Sequence, residues 1–337
     1  MAMRGTSMAI NRAMLMRQPH RLFSAPAVTE IKKVGMVGLG LMGHGIAQIS
    51  AQSGYEVVAV ETNQAALDLG QKRIEGSLEK IYSKLAAKGK LTEDEAAAQK
   101  SDALSKVVYS TEMEALADCD LVIEAIIEDV GIKLPFYENL GKTVKPGAIF
   151  ASNTSSLSIG IMAEASGRAD RFVGLHFFNP VQLMKLTEVI RTDDTDPKVF
   201  ELCHEWTKSV GKVGVSCADT PGFIVNRLLV PSLAQAILFV ERGDATVGDV
   251  DLSMQFGAGH PMGPLHLADY VGLDTTLSIL QGWVDNFPDE PAFIVPESLK
   301  AMVAAGHLGR KSGQGFYHWE GDKRLGPASE SDDKVAA

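Results

Sequence analysis

The sequence is poor in cysteine, with only Cys119, Cys203 and Cys217 among its 337 residues. The three are widely separated, none belongs to a C-x-x-C pair, and no histidine stands at ligand spacing beside them. This pattern favours neither a disulfide framework nor a zinc site. We therefore expect reduced, buried thiols and no bound metal.

The chain also lacks any apolar run near the ~18 residues needed to cross a bilayer, which argues against a membrane-spanning protein. It has 42 acidic against 32 basic residues, a formal net charge of -10. Because nucleic-acid-binding proteins present a basic face, this charge argues against DNA or RNA as a partner. The hydrophobic content of 45% is that of a globular protein, and the length suffices for about two domains.

Acidic residues are missing before Glu30, where the sequence instead has four arginines, two serines and several methionines. Arginines interrupt every apolar stretch, so the apolar core of a secretory signal is lacking. An Arg-rich, acid-poor segment is typical of a mitochondrial transit peptide. We interpret residues 1–29 in this way and expect a mitochondrial matrix protein; the alternative is a disordered or wrongly assigned extension.

The most specific motif lies between two apolar strands. Residues 33–37 predict a strand, and the glycines that follow have the spacing G-x-G-x-x-G and lead into a helix. The first glycine permits a sharp turn, the second lets a pyrophosphate approach the backbone, and the third lets helix and strand pack closely. Phosphates then bind the N–H groups at the helix N-terminus. The residues predicted to bind a dinucleotide are Gly38, Leu39, Gly40, Leu41, Met42 and Gly43.

A second apolar strand, residues 55–61, ends in Glu61. This carboxylate follows the first glycine at about the 20-residue spacing that the motif requires. It can accept hydrogen bonds from the adenosine ribose and repel a 2′-phosphate, so we expect NAD rather than NADP. The alternative is a solvated carboxylate at a strand end.

Alternating strand and helix signals continue to about Arg191. Helices are predicted over residues 63–89 and 92–100 and a short strand over 107–109. Continuous apolar runs near residues 121–127, 148–152 and 172–178 are typical of parallel strands buried on both faces, and residues 185–190 can pair with the last run. We predict an α/β fold with a Rossmann-type doubly wound sheet over residues 30–218.

Helical patterns dominate from Asp219 onward, beginning with a run that Pro221 and Gly222 open. They predict an all-helical C-terminal domain over residues 219–319, which would bind substrate or form a dimer. Residues 320–337 are polar and charged and are predicted to be a loose tail.

Catalytic groups in such a sheet collect beyond the carboxyl ends of the strands. His176 lies at one such end and Glu188 on the next strand, and an imidazole beside a buried carboxylate has the properties of a general base. Near a nicotinamide this pair predicts alcohol oxidation, with Ser155, Asn179 or Asn226 holding the developing carbonyl oxygen. The alternatives are a core histidine at position 176 and a helix-capping role for Ser155.

The motifs resemble those of the short-chain L-3-hydroxyacyl-CoA dehydrogenase family, NAD-dependent enzymes of fatty acid β-oxidation. The resemblance extends over residues 32–317. Its segments are residues 38–43 (GLGLMG), 124–128 (EAIIE), 151–157 (ASNTSSL), 174–180 (GLHFFNP), 219–227 (DTPGFIVNR), 259–264 (GHPMGP) and 313–317 (GQGFY).

The resemblance implies that His176 is the catalytic base and Glu188 its partner. It implies that Ser155 and Asn226 contact the reacting end of the substrate and that Asn179 lies near the nicotinamide. Further implied cofactor contacts are Glu128, Lys133, Ser155 and Lys311.

Acyl-CoA contacts are implied at Ser77, Lys84 and Ser155. Residues 72–90 carry six basic against two acidic residues, which suits the phosphates of coenzyme A; a solvated helix face is the alternative. Two positions depart from the family pattern. Glu61 stands where Asp is usual, and Pro135 requires that its helix begin near Leu134 or be kinked.

The resemblance implies reversible oxidation of (S)-3-hydroxyacyl-CoA to 3-ketoacyl-CoA with NAD. One alternative is a dehydrogenase of the same fold acting on a small hydroxy acid or sugar acid without coenzyme A. Another is a non-enzymatic structural protein, as crystallin-type relatives are. A homodimer is expected from the family and from the broad apolar stripe of the first C-terminal helix, although packing within the domain would use the same stripe.

Overall fold

The structure, a computed structural model, describes residues 28–328. These residues divide into two compact units, 28–224 and 225–328. The predicted transit peptide lies outside the described residues except for its last two positions, and so does the predicted tail after Ala328.

Eight strands form the sheet of the first unit: β1 (Lys33–Val37), β2 (Glu56–Val60), β3 (Val107–Ser110), β4 (Leu121–Glu124), β5 (Ile149–Ser152), β6 (Phe172–Phe177), β7 (Leu186–Arg191) and β8 (Val213–Ala218). Their order is β3-β2-β1-β4-β5-β6-β7-β8. Neighbours run parallel except β6 and β7, which are antiparallel. The order reverses between β1 and β4, the switch point at which a doubly wound sheet binds dinucleotides. The predicted Rossmann-type sheet is confirmed.

Helices connect these strands, and side chains cap the two helices that follow β2. They are α1 (Gly43–Gln52), α2 (Gln64–Ala87), α3 (Glu93–Ser105), α4 (Val130–Thr143), α5 (Ile159–Ser166) and α6 (Pro197–Ser209). The Asn63 side chain accepts from the Ala66 N–H at the start of α2, and Thr92 and Glu95 form a capping box at the start of α3.

Two apolar cores cover opposite faces of the sheet. Along β4, Leu121 and Ile123 belong to one core and Val122 to the other. All three side chains are fully buried, as is expected for a central parallel strand. This packing fixes the carboxyl ends of the strands, where polar side chains follow.

Helix α4 does not begin near Leu134, which was one of the two alternatives predicted for Pro135. It starts at Val130 rather than near Leu134, because Asp129 caps it by accepting from the Ile132 N–H at 3.1 Å. Pro135 therefore lies inside the helix, where its missing N–H leaves one carbonyl of the first turn without its helical donor.

The second unit is mainly helical and has its own apolar core. Its helix α7 begins at Val225, after a turn over residues 221–224, and not at Pro221. The elements are α7 (Val225–Glu241), α8 (Val247–Ala258), α9 (Pro264–Val271), α10 (Leu273–Asn286), α11 (Glu297–Ala304), β9 (Tyr317–Glu320) and β10 (Lys323–Pro327).

The predictions of an all-helical domain and of a loose tail from residue 320 are wrong for β9 and β10, which form an antiparallel pair. All residues of β10 are exposed, so no apolar pattern marked the strand. Its Arg324 guanidinium lies 4.5 Å from the centre of the Tyr317 ring and 3.7 Å from the buried carboxylate of Asp251, and these contacts hold the strand in place.

Candidate active site

The glycine-rich turn lies between β1 and α1. Gly38 has a φ of 85°, and a Cβ at Gly43 would lie only 1.7 Å from the Gly38 carbonyl oxygen, so both positions require glycine. A Cβ at Gly40 would meet nothing within 4 Å, which leaves the backbone open to approach. Met42, the N-cap of α1, makes no side-chain cap bond, so the N–H groups of the first turn suit an anion. The turn fits the pyrophosphate of a dinucleotide.

Glu61 lies beside this turn, directly after β2. Its Oε1 accepts from the Leu39 N–H at 2.6 Å and its Oε2 from the Thr62 N–H at 3.1 Å. Arg73 of α2 donates to the Leu39 carbonyl at 3.2 Å, which also ties α2 to the turn. The carboxylate is thus held at the adenosine half of the sheet, where a ribose contact requires it.

Glu124, the last residue of β4, is fully buried and accepts four hydrogen bonds. Its Oε1 accepts from Lys133 Nζ at 2.5 Å and from the Ile126 N–H at 2.7 Å. Its Oε2 accepts from the Ser152 hydroxyl at 2.8 Å and the Tyr137 hydroxyl at 2.9 Å. Burial and the charge of Glu124 raise the pKa of Tyr137 well above its usual range, so the phenol stays a donor.

Three residues predicted to bind cofactor or substrate meet beside Glu124. Lys133, only 1% exposed, places its Nζ 3.3 Å from Glu128 Oε2. Glu128 Oε1 accepts from the Thr154 hydroxyl at 2.6 Å and from the Ser155 N–H at 2.8 Å and hydroxyl at 3.3 Å. Burial raises the pKa of Glu128, but the bond from Thr154 and the charge of Lys133 outweigh it, and the pKa is lowered.

We call this group of side chains the carboxylate cluster. No role was predicted for Glu124. It is the last residue of a buried strand, just as Glu61 directly follows one, and a carboxylate in such a position is the signal by which Glu124 can be found. The members of the cluster are Glu124, Glu128, Lys133, Tyr137, Ser152, Thr154 and Ser155.

His176 and Glu188 are direct partners across the antiparallel pair of β6 and β7. His176 Nδ1 lies 2.7 Å from Glu188 Oε2, and the two residues are 5% and 0% exposed. Glu188 Oε1 accepts from the Ile224 N–H at 3.0 Å, so both carboxylate oxygens are held. This contact assigns the Nδ1 proton of a neutral imidazole to the carboxylate side and leaves Nε2 as the acceptor.

Aromatic side chains and one amide fix the surroundings of His176. The ring centres of Phe178 and Phe223 lie 4.5 Å and 5.6 Å from that of the imidazole. Phe223 has a φ of 53°, which is uncommon outside glycine. Asn153, which directly follows β5, accepts from the Phe177 N–H at 3.0 Å and joins the ends of β5 and β6. No role was predicted for Asn153.

Three other predicted site residues belong to the first unit, one shortly after His176 in the chain and two on α2. Asn179 is exposed in the connection between β6 and β7. Ser77 is half-buried and Lys84 exposed on α2, about two helical turns apart and so on one face.

Two predicted site residues belong to the second unit. Asn226 lies in the first turn of α7. Lys311 lies in a short 3-10 turn, and its Nζ is 2.5 Å from the Asp274 carboxylate at the start of α10.

Residues 28–328 contain no helix that is long and apolar enough to cross a membrane. In the same part of the chain, no three His, Cys, Asp or Glu side chains are arranged to hold a metal ion.

The fold and the site together define a dinucleotide-binding oxidoreductase. A glycine-rich turn fits the pyrophosphate, and a buried imidazole–carboxylate pair lies at the carboxyl ends of the strands.

The chain belongs to the 3-hydroxyacyl-CoA dehydrogenase family. The family model described as the NAD binding domain matches residues 33–220, and the C-terminal domain model matches residues 222–319. The first model agrees with NAD as the predicted cofactor.

Named relatives and solved structures agree with this membership. The mitochondrial hydroxyacyl-coenzyme A dehydrogenase of Rattus norvegicus is 48% identical over 86% of this chain and 92% of its own length. A probable 3-hydroxybutyryl-CoA dehydrogenase of Deinococcus radiodurans is 45% identical over 85% of this chain and 100% of its own. The crystal structure of (S)-3-hydroxybutyryl-CoA dehydrogenase from Ralstonia eutropha matches 86% of this chain and 100% of its own with a TM-score of 0.81 and 40% identity.

Proposed function

We propose that this protein catalyses the reversible NAD-dependent oxidation of (S)-3-hydroxyacyl-CoA to 3-ketoacyl-CoA in fatty acid β-oxidation. The observation that carries the proposal is the buried pair of His176 and Glu188, 2.7 Å apart, in a chain whose relatives are named for this substrate class.

His176 is the proposed general base. Its Nδ1 faces Glu188, so Nε2 accepts the proton of the substrate hydroxyl. The imidazolium that results is stabilised by a carboxylate whose other oxygen is fixed on the Ile224 N–H. Bound NAD would supply the hydride acceptor for the carbon that carries this hydroxyl.

Ser155 is the proposed contact for the substrate oxygen. Its N–H donates to Glu128 at 2.8 Å and fixes the backbone, and the longer 3.3 Å bond from its hydroxyl to Glu128 can be exchanged for one to the substrate oxygen. Gly38–Gly43 and Glu61 are proposed to hold the pyrophosphate and adenosine of NAD, with Glu128, Lys133 and Asn179 on the nicotinamide side. The roles of Asn226 toward substrate and Lys311 toward cofactor stay predictions.

Coenzyme A is proposed to bind along α2 at Ser77 and Lys84. Their common face and the excess of basic residues between positions 72 and 90 support this placement. Both residues would contact the anionic part of the substrate rather than its reacting carbon.

The test follows NADH absorbance with the purified full chain, comparing acetoacetyl-CoA with free acetoacetate and NADH with NADPH. We expect oxidation of NADH that requires the thioester, and no reaction with NADPH. Reduction of the free acid alone would favour the small-hydroxy-acid alternative. Absence of both reactions in protein that binds NADH would favour the non-enzymatic one.

A mitochondrial matrix location is proposed from the Arg-rich, acid-poor residues 1–29 and from the names of several relatives. A fluorescent fusion of the full chain should reach mitochondria, and the same fusion without residues 1–29 should not. Equal distribution of the two fusions would contradict the proposal.

A homodimer is proposed from the second unit. Leu228 on α7 and Leu252 and Phe256 on α8 are 69%, 49% and 84% exposed, and these apolar side chains of two consecutive helices supply surface for contact with a second copy of the chain. We expect light scattering to give twice the mass of 36.1 kDa, and Phe256→Glu to shift the protein toward monomer. A wild-type protein of monomer mass would contradict the proposal.

A further inference from the structure

The carboxylate cluster has an uncompensated charge. Glu124 accepts from four donors and is therefore an ionised carboxylate, and hydrogen bonds and the Lys133 ammonium also favour the ionised form of Glu128. Lys133 is the cation that both carboxylates share. Two carboxylates and one ammonium leave the cluster with one net negative charge.

The position of this charge is set by the topology of the sheet. The cluster lies at the carboxyl ends of β4 and β5, on the opposite side of the β1–β4 switch point from Glu61. A dinucleotide whose pyrophosphate lies at α1 and whose adenosine lies at Glu61 places its nicotinamide over the second half. Glu128, with a side chain 36% exposed, is the end of the cluster nearest the surface, whereas Glu124 and Lys133 are buried.

The nicotinamide ring is cationic in NAD+ and neutral in NADH. A fixed negative charge beside the ring therefore stabilises bound NAD+ and leaves bound NADH nearly unaffected. One unit charge acting over ~10 Å at an effective dielectric constant of ~20 suffices for about a tenfold change in affinity.

We propose that the carboxylate cluster distinguishes the two redox states of the cofactor by charge and favours NAD+. The inference rests on the proposed placement of the nicotinamide beside Glu128. Glu124 is the positioning residue that makes the effect possible, because without it the Lys133 ammonium would neutralise Glu128. A buried residue that does not reach the cofactor site thus sets the charge that the cofactor meets.

The test measures the dissociation constants of NAD+ and NADH by calorimetry and NADH fluorescence, without acyl-CoA. In Glu128→Gln we expect the ratio Kd(NAD+)/Kd(NADH) to rise about tenfold, and in Glu124→Gln to rise in the same direction by about threefold or more. Glu138→Gln, which removes the same charge from an exposed position on α4, is the matched control and should keep the wild-type ratio.

ADP-ribose, which lacks the nicotinamide, should bind wild type and all three variants equally and so reports whether the site is intact. If Glu124→Gln fails this check, Glu128→Gln alone decides. An unchanged ratio, or an equal loss of affinity for NAD+ and NADH, would overturn the proposal. Because binding is measured without substrate, failure of the acetoacetyl-CoA reaction is a separate result that bears on the proposed function alone.

Discussion

Two buried carboxylates, one in each unit, differ in whether a hydrogen-bond partner can change its protonation state. Glu188 in the first unit is fully buried and holds one backbone N–H and one imidazole. Asp269 in the second unit is 1% exposed and accepts from the Phe316 N–H, the Tyr317 N–H and the Trp319 indole at 2.8–2.9 Å. Every donor of Asp269 is a group that never titrates, whereas the imidazole can gain a proton.

The difference shows what buried charge indicates in a new structure. Asp269 joins α9 to the strand pair at the end of the chain, and Gly315 is required there because a Cβ would lie 2.0 Å from the carboxylate. Glu188 joins β7 to β6 and to the turn that precedes α7, and one of its partners is an imidazole, which can change its protonation state. Burial alone does not separate the two roles; the capacity of a partner to change its protonation state does.

Replacement of Glu188, the carboxylate with an ionisable partner, should have the largest effect. In Glu188→Gln the amide cannot stabilise the imidazolium, so we expect kcat with acetoacetyl-CoA to fall about 10³-fold while NADH binding is retained. Glu201→Gln, an exposed change of the same type on α6, should leave kcat unchanged. A kcat within threefold of wild type in Glu188→Gln would remove the basis for the proposed general base.

Replacement of Asp269, the carboxylate that holds the strand pair, should have the second largest effect. In Asp269→Asn one carboxylate oxygen becomes an NH₂ group that faces donors, so we expect the free energy of unfolding to fall by about 3 kcal/mol. Urea unfolding measures this, with the exposed Asp285→Asn on α10 as the control, for which we expect a change within about 0.5 kcal/mol. Unchanged stability with lost activity would show that the assigned roles of the two carboxylates do not differ as argued.

The sequence was sufficient for the parts of the fold that repeat a known local pattern. Glycine spacing predicted the β1–α1 turn, and continuous apolar runs predicted the central strands. Two strands without buried residues were missed. No residue of β8 is buried and β10 is fully exposed, so neither has the apolar run by which a strand is recognised, whereas β3 at the other edge of the sheet was predicted. Helix α6 and strand β8 had no prediction at all.

The candidate site divides in the same way. His176 and Glu188 were expected to meet because a short connection joins their strands, and they are direct cross-strand partners. The role of Glu124 was missed because Ser152 comes from β5, 28 residues away, and because its nearer partners Lys133 and Tyr137 carry no pattern that pairs them with a carboxylate. Contacts that belong to a recognised pattern were predictable, such as Glu61 beside the glycine-rich turn, whereas the buried partners of Glu124 follow no such pattern.

The smallest effect is expected for Asp120, whose contribution to stability depends on pH. Burial raises the pKa of Asp120, but Lys145 and the N–H groups of Lys32 and Lys33 outweigh it, so the pKa of this partly buried carboxyl is lowered. Because a lowered pKa favours the folded state only above the unfolded value of ~3.9, the contribution of Asp120 is complete at neutral pH and is lost as the pH falls through the folded pKa.

Asp269 has the opposite sign. Burial raises its pKa although Trp319 and two backbone N–H groups oppose the shift, so its ionisation opposes folding above the folded pKa and acidification relieves that cost.

We expect the difference in Tm between wild type and Asp120→Asn to be greatest near neutral pH and to shrink below pH ~4, with the exposed Asp118→Asn as control. A difference that stays constant with pH would mean that Asp120 acts through packing and not through its charge.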